Sequence, residues 1–324
     1  MITTELIREL TAATSPDRVK RNEILAQHCS FGTGGPADLF IRVACAAELE
    51  QVLELLAASG CEVFLLGRGT NLLIGDGGFR GAVVTMCTPA GQESELTQVN
   101  AGQGQTDSCL LTAGAGASLY KIAMAAKDAG LAGFEFAAGI PGSLGGAVMM
   151  NAGAYGGEMK EVVRTVDVLY PGEGVRHYSA QEMEFGYRTS RIRRDGGIVL
   201  GAELELMPGD RDMISSRIAE LSNKRREKQP LEFASAGSTF KRPEGYFAGK
   251  LIQDAGLKGF RVGDAQVSEK HAGFVINRGG ASAADIRALI EEVQRAVFEN
   301  AGVRLEREVI YLGDFSRQQG ASGV

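Results

Sequence analysis

From Glu135 to Gly157 the chain offers a ligand little besides backbone. Seven glycines, one proline and one asparagine stand there among apolar side chains with almost no charge. Glycine admits positive φ and lets backbone come close to another object. Amide N–H groups in such a stretch can contact a flat or phosphorylated ligand while side chains stay clear. The stretch is too apolar for a linker, and its glycine content argues against a helix. The plainer alternative is a buried glycine-rich loop. A second loop, Gly67-Arg-Gly-Thr-Asn71, follows an apolar strand signal. It is not a Rossmann fingerprint, because Leu72 stands where the third glycine belongs and a strand, not a helix, comes next. Nor is there a Walker A loop, since Gly249-Lys250 runs into Leu251. Two glycine loops in one α+β chain therefore suggest an extended dinucleotide held by loops between strands.

Several side chains could act on such a ligand. Arg188 can grip a carboxylate with two parallel N–H donors, although beside Arg191, Arg193 and Arg194 residue pattern alone favours reading it as surface charge. Ser238 follows Gly237 and could be a proton donor or a turn serine. Alternation over Val303–Leu312, expected to be a strand, puts Glu306, Glu308, Ile310 and Leu312 on one face. Period alone does not choose between the two acids. Lys224-Arg-Arg-Glu-Lys228 and Lys241-Arg242 are either solvated faces or phosphate contacts. Histidines 28, 177 and 271 lack metal-ligand spacing, so no metal is expected. Cysteines 29, 45, 61, 87 and 109 are odd in number, form no Cys-x-x-Cys and read as reduced, mostly buried thiols.

The elements that must position these groups follow from periodicity and breakers. A helical arm is expected over residues 1–25, a helix over Ala46–Ser59 ended by Gly60, and short strands at Glu62–Leu66, Leu72–Ile74 and Ala82–Thr85. Gln92–Asp107 reads as polar turn. Cys109–Ala113 is a strand, and Ser118 caps a helix running to Asp128. Val162–Leu169 and Val175–Ser179 flank Pro171-Gly-Glu-Gly174 as a hairpin. Gly197–Leu206 is a strand, Asp210–Lys228 a charged helix, Gly273–Asn277 a strand and Ser282–Asn300 a capped helix. A shift in texture places a domain boundary near 207. At 324 residues, two or three domains are expected. Glycine, at 44 residues, is about twice ordinary usage without a collagen period. A net charge of −6 argues against a nucleic-acid binder. The N-terminal residues are amphipathic rather than signal-like, and no apolar run approaches a membrane span. A cytoplasmic protein with no membrane insertion is expected.

Taken together, Leu66-Gly-Arg-Gly-Thr-Asn-Leu-Leu-Ile74, Ala138-Gly-Ile-Pro-Gly-Ser-Leu-Gly-Gly146 and Met150-Asn-Ala-Gly-Ala-Tyr-Gly156 resemble the FAD-binding loops of the UDP-N-acetylenolpyruvoylglucosamine reductase family. Ser30-Phe-Gly-Thr-Gly-Gly-Pro-Ala-Asp38, Phe185-Gly-Tyr-Arg-Thr-Ser190, Ser235-Ala-Gly-Ser-Thr-Phe240 and Leu305-Glu-Arg-Glu-Val309 extend the likeness, in the family's order, from about residue 23 to 313.

The resemblance implies an α+β protein with the FAD-binding fold of the vanillyl-alcohol-oxidase (PCMH) type. Its implied divisions are 1–95 and 96–206 for two FAD subdomains, 207–313 for an α+β substrate domain, and 314–324 for a flexible tail. It implies non-covalent FAD, NADPH as hydride donor, and reduction of an enolpyruvyl ether on UDP-N-acetylglucosamine to UDP-N-acetylmuramate for peptidoglycan. The flavin hydride would reach the vinylic methylene carbon and an enolate would develop on the substrate carboxylate. Catalytic roles fall on Arg188 and Glu308 for the enolate and Ser238 for the proton. Cofactor-binding roles fall on Leu66, Gly67, Arg68, Gly69, Thr70, Asn71 and Leu72, on Ala138, Gly139, Ile140, Pro141, Gly142, Ser143, Gly145 and Gly146, and on Asn151, Ala152, Gly153 and Arg225. Tyr155, Tyr187, Lys228, Arg242 and His271 would meet the UDP-sugar, with Arg225 and Lys228 toward pyrophosphate. NADPH and substrate would share one cleft in a monomer or weak oligomer. The interval Thr189–Gly237 leaves little room for the tyrosine-bearing insertion that some members carry, which implies the shorter subtype. The alternatives are another FAD oxidoreductase of the same fold, such as an alcohol oxidase, or a non-catalytic nucleotide-binding module.

Overall fold

The computed structural model describes residues 2–89, 92–102 and 108–316. In chain order the first half contains α1 (Thr4–Ala13), β1 (Val19–Ile24), β2 (Pro36–Arg42), α2 (Ala46–Ala58), β3 (Val63–Leu66), β4 (Leu72–Ile74), β5 (Phe79–Thr85), β6 (Val99–Ala101), β7 (Cys109–Gly114), α3 (Leu119–Asp128), β8 (Leu131–Ala132), α4 (Leu144–Met149), β9 (Gly153–Ala154) and β10 (Gly157–Glu158). The second half contains β11 (Val163–Tyr170), β12 (Gly174–Ser179), α5 (Arg191–Asp195), β13 (Ile198–Pro208), α6 (Arg211–Lys228), α7 (Ala248–Asp254), β14 (Arg261–Val262), β15 (Ala265–Val267), β16 (Val275–Asn277), α8 (Ala283–Ala301) and β17 (Ile310–Leu312). Helices and strands are mixed along the chain, as an α+β fold requires. A four-stranded sheet runs β1-β2-β5-β3.

Two compact units, each discontinuous in sequence, make up the fold. One comprises residues 1–20, 40–67 and 83–225; the other comprises 21–39, 68–82 and 226–324. In the first unit a six-stranded sheet runs β12-β11-β13-β7-β6, with β8 also on β13. Its buried face supplies Val166, Val168, Leu204 and Leu111, against which Ile122 and Ala126 of α3 and Leu144 and Val148 of α4 pack. Ser118 starts α3 by accepting from the Lys121 N–H at 3.2 Å, and Gly130, at φ +70°, follows its end.

In the second unit a three-stranded antiparallel sheet, β14-β15-β16, and the parallel pair β17-β4 adjoin α8. The capped start of α8 was legible: the Ser282 hydroxyl accepts from Asp285 N and the Asp285 carboxylate from Ser282 N. Ile286, Leu289, Ile290, Val293 and Val297 form its buried stripe. Asp76 adds a second cap from a distant loop, accepting from Ala283 N at 2.9 Å and Ala284 N at 3.1 Å.

Several expectations are corrected. The arm over 1–25 is α-helical only to Ala13, with one 3-10 turn at Pro16–Arg18, and Val19–Ile24 is a strand. The polar stretch from Gln92 contains β6, while residues 103–107 and the expected tail from 317 lie outside the described residues. A helix does form in the glycine-rich segment: Leu144, Ala147 and Val148 of α4 are buried at i, i+3, i+4 spacing, and its first amides donate to Ala117 O and Ala115 O. Of the strand expected over Val303–Leu312, only the last three residues are one. Residues 305–309 bond irregularly instead to the segment around Thr239, through a bridge between Phe240 and Arg307. Of the five free cysteines only Cys29 is buried.

Candidate active site

In the first unit the glycine-rich segment presents bare backbone. Within this unit the first atom that a Cβ at Gly146 would meet is Ser143 Oγ at 3.6 Å. A Cβ at Gly139 would meet only the Arg225 side chain, at 3.4 Å. At Gly67 it would come 2.8 Å from Ser143 Oγ, which brings the end of the first glycine loop against the second. Arg225, near the end of α6, is half-buried, and burial lowers its pKa while the neighbouring Tyr155 raises it. A flat, phosphate-bearing group fits such a surface: open glycine backbone for close approach, and a guanidinium beside it.

Arg188 sits at the tip of a two-residue turn. Gly186 and Thr189 bond each other reciprocally, N to O at 3.0 Å and 3.3 Å. Tyr187 and Arg188 are the tip residues, and only Arg188 has positive φ, at +56°. This is the type II position that glycine normally takes. An arginine there costs roughly 1–3 kcal/mol and persists only where its surroundings over-determine it. The Arg188 guanidinium lies 5.4 Å from the exposed Tyr187 ring. Two more left-handed residues, Asn151 at +43° and Tyr155 at +55°, stand on the nearby glycine-rich segment. Asn151 is buried, and its side chain is engaged by Glu158, Gly186 and Lys160.

The second unit gathers most of the remaining expected residues. Ser238 is exposed and bridges to Phe274. Its neighbour Thr239 is fully buried: its N–H donates to Gly273 O at 2.9 Å, its hydroxyl accepts from Val275 N at 3.0 Å and its carbonyl accepts from Glu308 N at 2.9 Å. Asn71, from the first glycine loop, donates through Nδ2 to Glu308 O at 3.1 Å, and its own carbonyl accepts from Ile310 N at 3.0 Å. The backbone of Glu308 is therefore held from both sides, by the Thr239 carbonyl and by the Asn71 side-chain amide, and Thr239 ties it to Ser238. His271 joins through Gly273, whose N–H donates to His271 Nδ1 at 3.1 Å. Burial pushes the His271 pKa down, with Lys258 acting in the same direction. Gly69, at φ +63°, lies so close to His28 that a Cβ would sit 1.8 Å from its carbonyl. The exposed Arg242 stacks on Phe247 at 4.0 Å. Lys228 is exposed at the end of α6. Glu306 pairs with Lys241 at the surface, which separates it from the buried connections of Glu308.

Thr239, Ser190 and Asp76 were not singled out from sequence. Thr239 and Ser190 stand inside the motifs quoted above, and burial is what distinguishes them. Among the described residues, no group of three or more side chains could hold a metal, and no helix is long and apolar enough to cross a membrane.

Comparison with known proteins gives concordant results. Residues 37–178 match the model of an FAD binding domain, and residues 229–312 match that of the UDP-N-acetylenolpyruvoylglucosamine reductase C-terminal domain. The chain is 49% identical over 297 residues to the UDP-N-acetylenolpyruvoylglucosamine reductase of Agathobacter rectalis, covering 91% of this chain and 94% of that one. It is 47% identical over 314 residues to the protein of the same name from Lachnoclostridium phytofermentans, covering 95% and 97%. The crystal structure of UDP-N-acetylenolpyruvylglucosamine reductase from Thermus caldophilus superposes with a TM-score of 0.76 at 34% identity, over 91% of this chain and 99% of that one.

Proposed function

The chain belongs to the UDP-N-acetylenolpyruvoylglucosamine reductase family, is an FAD-dependent oxidoreductase of peptidoglycan precursor synthesis, and on that premise we propose the residues and the reductant through which it works. NADPH is the reductant, and the substrate is the enolpyruvyl ether of UDP-N-acetylglucosamine. FAD, when bound, supplies the hydride chemistry. The residues proposed to hold it are Leu66–Leu72, Ala138–Ser143, Gly145, Gly146, Ala152 and Gly153, with Arg225, and Asn151 through its backbone alone.

Arg188 binds the substrate carboxylate with two parallel N–H donors and stays charged while that carboxylate takes up negative charge. Glu308 orients the same region of the substrate. Ser238 gives its hydroxyl proton to the substrate carbon next to the carboxylate, the position that becomes basic as the enolate forms. Tyr155, Tyr187, Lys228, Arg242 and His271 contact the UDP-sugar. NADPH and the enolpyruvyl substrate use one site in turn. Residues 1–95 and 96–206 serve the cofactor and 207–313 the substrate, in the cytoplasm.

One observation supports this reading above the others. Asn71 of the first glycine loop, Glu308 and the neighbour of Ser238 form one hydrogen-bonded set, through Asn71 Nδ2 to Glu308 O and Glu308 N to Thr239 O. The test is Ser238→Ala, followed by stopped flow in the two half-reactions. NADPH should reduce the flavin at a near-normal rate, while reoxidation by the enolpyruvyl substrate should slow by roughly 10²–10⁴-fold or more. Ser238→Cys should recover part of the loss. Equal slowing of both halves would refute the proton-donor role.

A further inference from the structure

The two-residue turn that carries Arg188 is fastened on both flanks to the corner Met149-Met150-Asn151. On one flank Asn151 Nδ2 donates to Gly186 O at 3.1 Å. On the other the Ser190 hydroxyl donates to Met149 O at 2.9 Å. Asn151 is only 2% exposed and Ser190 1%. The Asn151 amide has two N–H donors, and its second goes to Glu158 Oε2 at 2.6 Å. Its oxygen accepts from Lys160 N at 2.9 Å. Arg193 Nη1 adds a bond to Arg188 O at 3.0 Å. A left-handed arginine needs such fastening, because without it the turn would relax toward an unstrained backbone and carry the guanidinium away.

We propose that Asn151 is a positioning residue for Arg188. It acts on the chemistry by holding the Gly186–Thr189 turn, and its side-chain amide is spent on protein groups rather than on the cofactor. This rests on the carboxylate-binding role of Arg188 proposed above.

The holoenzyme provides the test, as Asn151→Ala, Arg188→Ala and the double variant. Flavin content should be full in all three, and NADPH should reduce the flavin of Asn151→Ala within about threefold of the parent rate. Reoxidation by the enolpyruvyl substrate should fall roughly 10²-fold, the loss expected when a reacting group is misplaced by about 1 Å. In the Arg188→Ala background, Asn151→Ala should add less than about twofold, because two residues acting through one group are not additive. Loss of flavin, equal slowing of both half-reactions, or losses that multiply in the double variant would each overturn the proposal. If Asn151→Ala does not fold, Ser190→Ala loosens the other flank and should slow reoxidation alone by about tenfold, again only when Arg188 is present. Reoxidation unaffected in Ser190→Ala would overturn it. Unchanged reoxidation in Arg188→Ala by itself would remove the role of Arg188, and the positioning role with it, before any Asn151 variant is made.

Discussion

Replacing Gly146 by alanine should move stability and cofactor affinity in opposite directions. Gly146 lies inside α4, where alanine is favoured over glycine by roughly 0.5–1 kcal/mol because less backbone entropy is lost. Within its unit the new methyl meets nothing nearer than Ser143 Oγ at 3.6 Å, an ordinary contact. The cofactor-free protein should therefore melt roughly 1–4 °C higher. If a flat ligand lies on this backbone, the same methyl intrudes on a fitted surface. Overpacking by one methyl costs roughly 1–3 kcal/mol, or about 5- to 150-fold in the FAD dissociation constant. In excess FAD the thermal gain should shrink or invert, because ligand stabilisation falls with affinity. Deflavinated protein, thermal unfolding with and without FAD, and titration by flavin fluorescence give all three numbers. An unchanged FAD affinity alongside a stabilised apoprotein would refute the placement of the ligand on Gly146.

Thr239→Val replaces the hydroxyl that accepts from Val275 N by a methyl of similar size, leaving a buried N–H unsatisfied at roughly 1–3 kcal/mol; the denaturation midpoint should fall accordingly, while Thr239→Ser keeps most of the stability. His271 is a base whose folded pKa lies below its unfolded value, so the unfolded chain binds more protons and stability should decline as pH falls from about 6.5 through the lowered pKa. Protonation at Nδ1 also removes the acceptor for Gly273 N, so His271→Gln should flatten this part of the stability–pH profile measured by chemical denaturation; a profile as steep as the parent's would discard the assignment.

Much of the fold could be read from residue pattern, because the pattern and the packing agree there. Ser282 followed by Asp285 capped the helix it should cap, and Leu72–Ile74 became the strand that its three apolar residues announced. The misses have a shared cause in contacts between distant parts of the chain. Helix α4 has two glycines in six residues and no local reason to form. It exists because Ala115 and Ala117 take its first amides and because Leu144 and Val148 are buried. Alternation over 303–309 looked like strand, but Thr239 and Lys241 take up its backbone groups irregularly. The candidate residues themselves came from motifs. What no motif supplied was their fastening, since the role of Asn71 toward Glu308 depends on two segments 237 residues apart in sequence.

That separation bears on how the protein is made. The second unit takes residues 21–39 and 68–82 from early in the chain, yet β4 finds its partner β17 only at residues 310–312. At ribosomal rates of about 5–20 residues per second, the early segments wait roughly 10–50 s before their partner emerges. Leu72, Leu73 and Ile74 are all buried in the finished fold, so a nascent chain carries this apolar strand without its partner throughout that interval. A ribosome stall between residues 228 and 310 would leave a polypeptide whose first unit has all of its sequence and whose second has none of its closing strand. Such a chain exposes an unpaired strand edge, the kind of surface on which chaperones act.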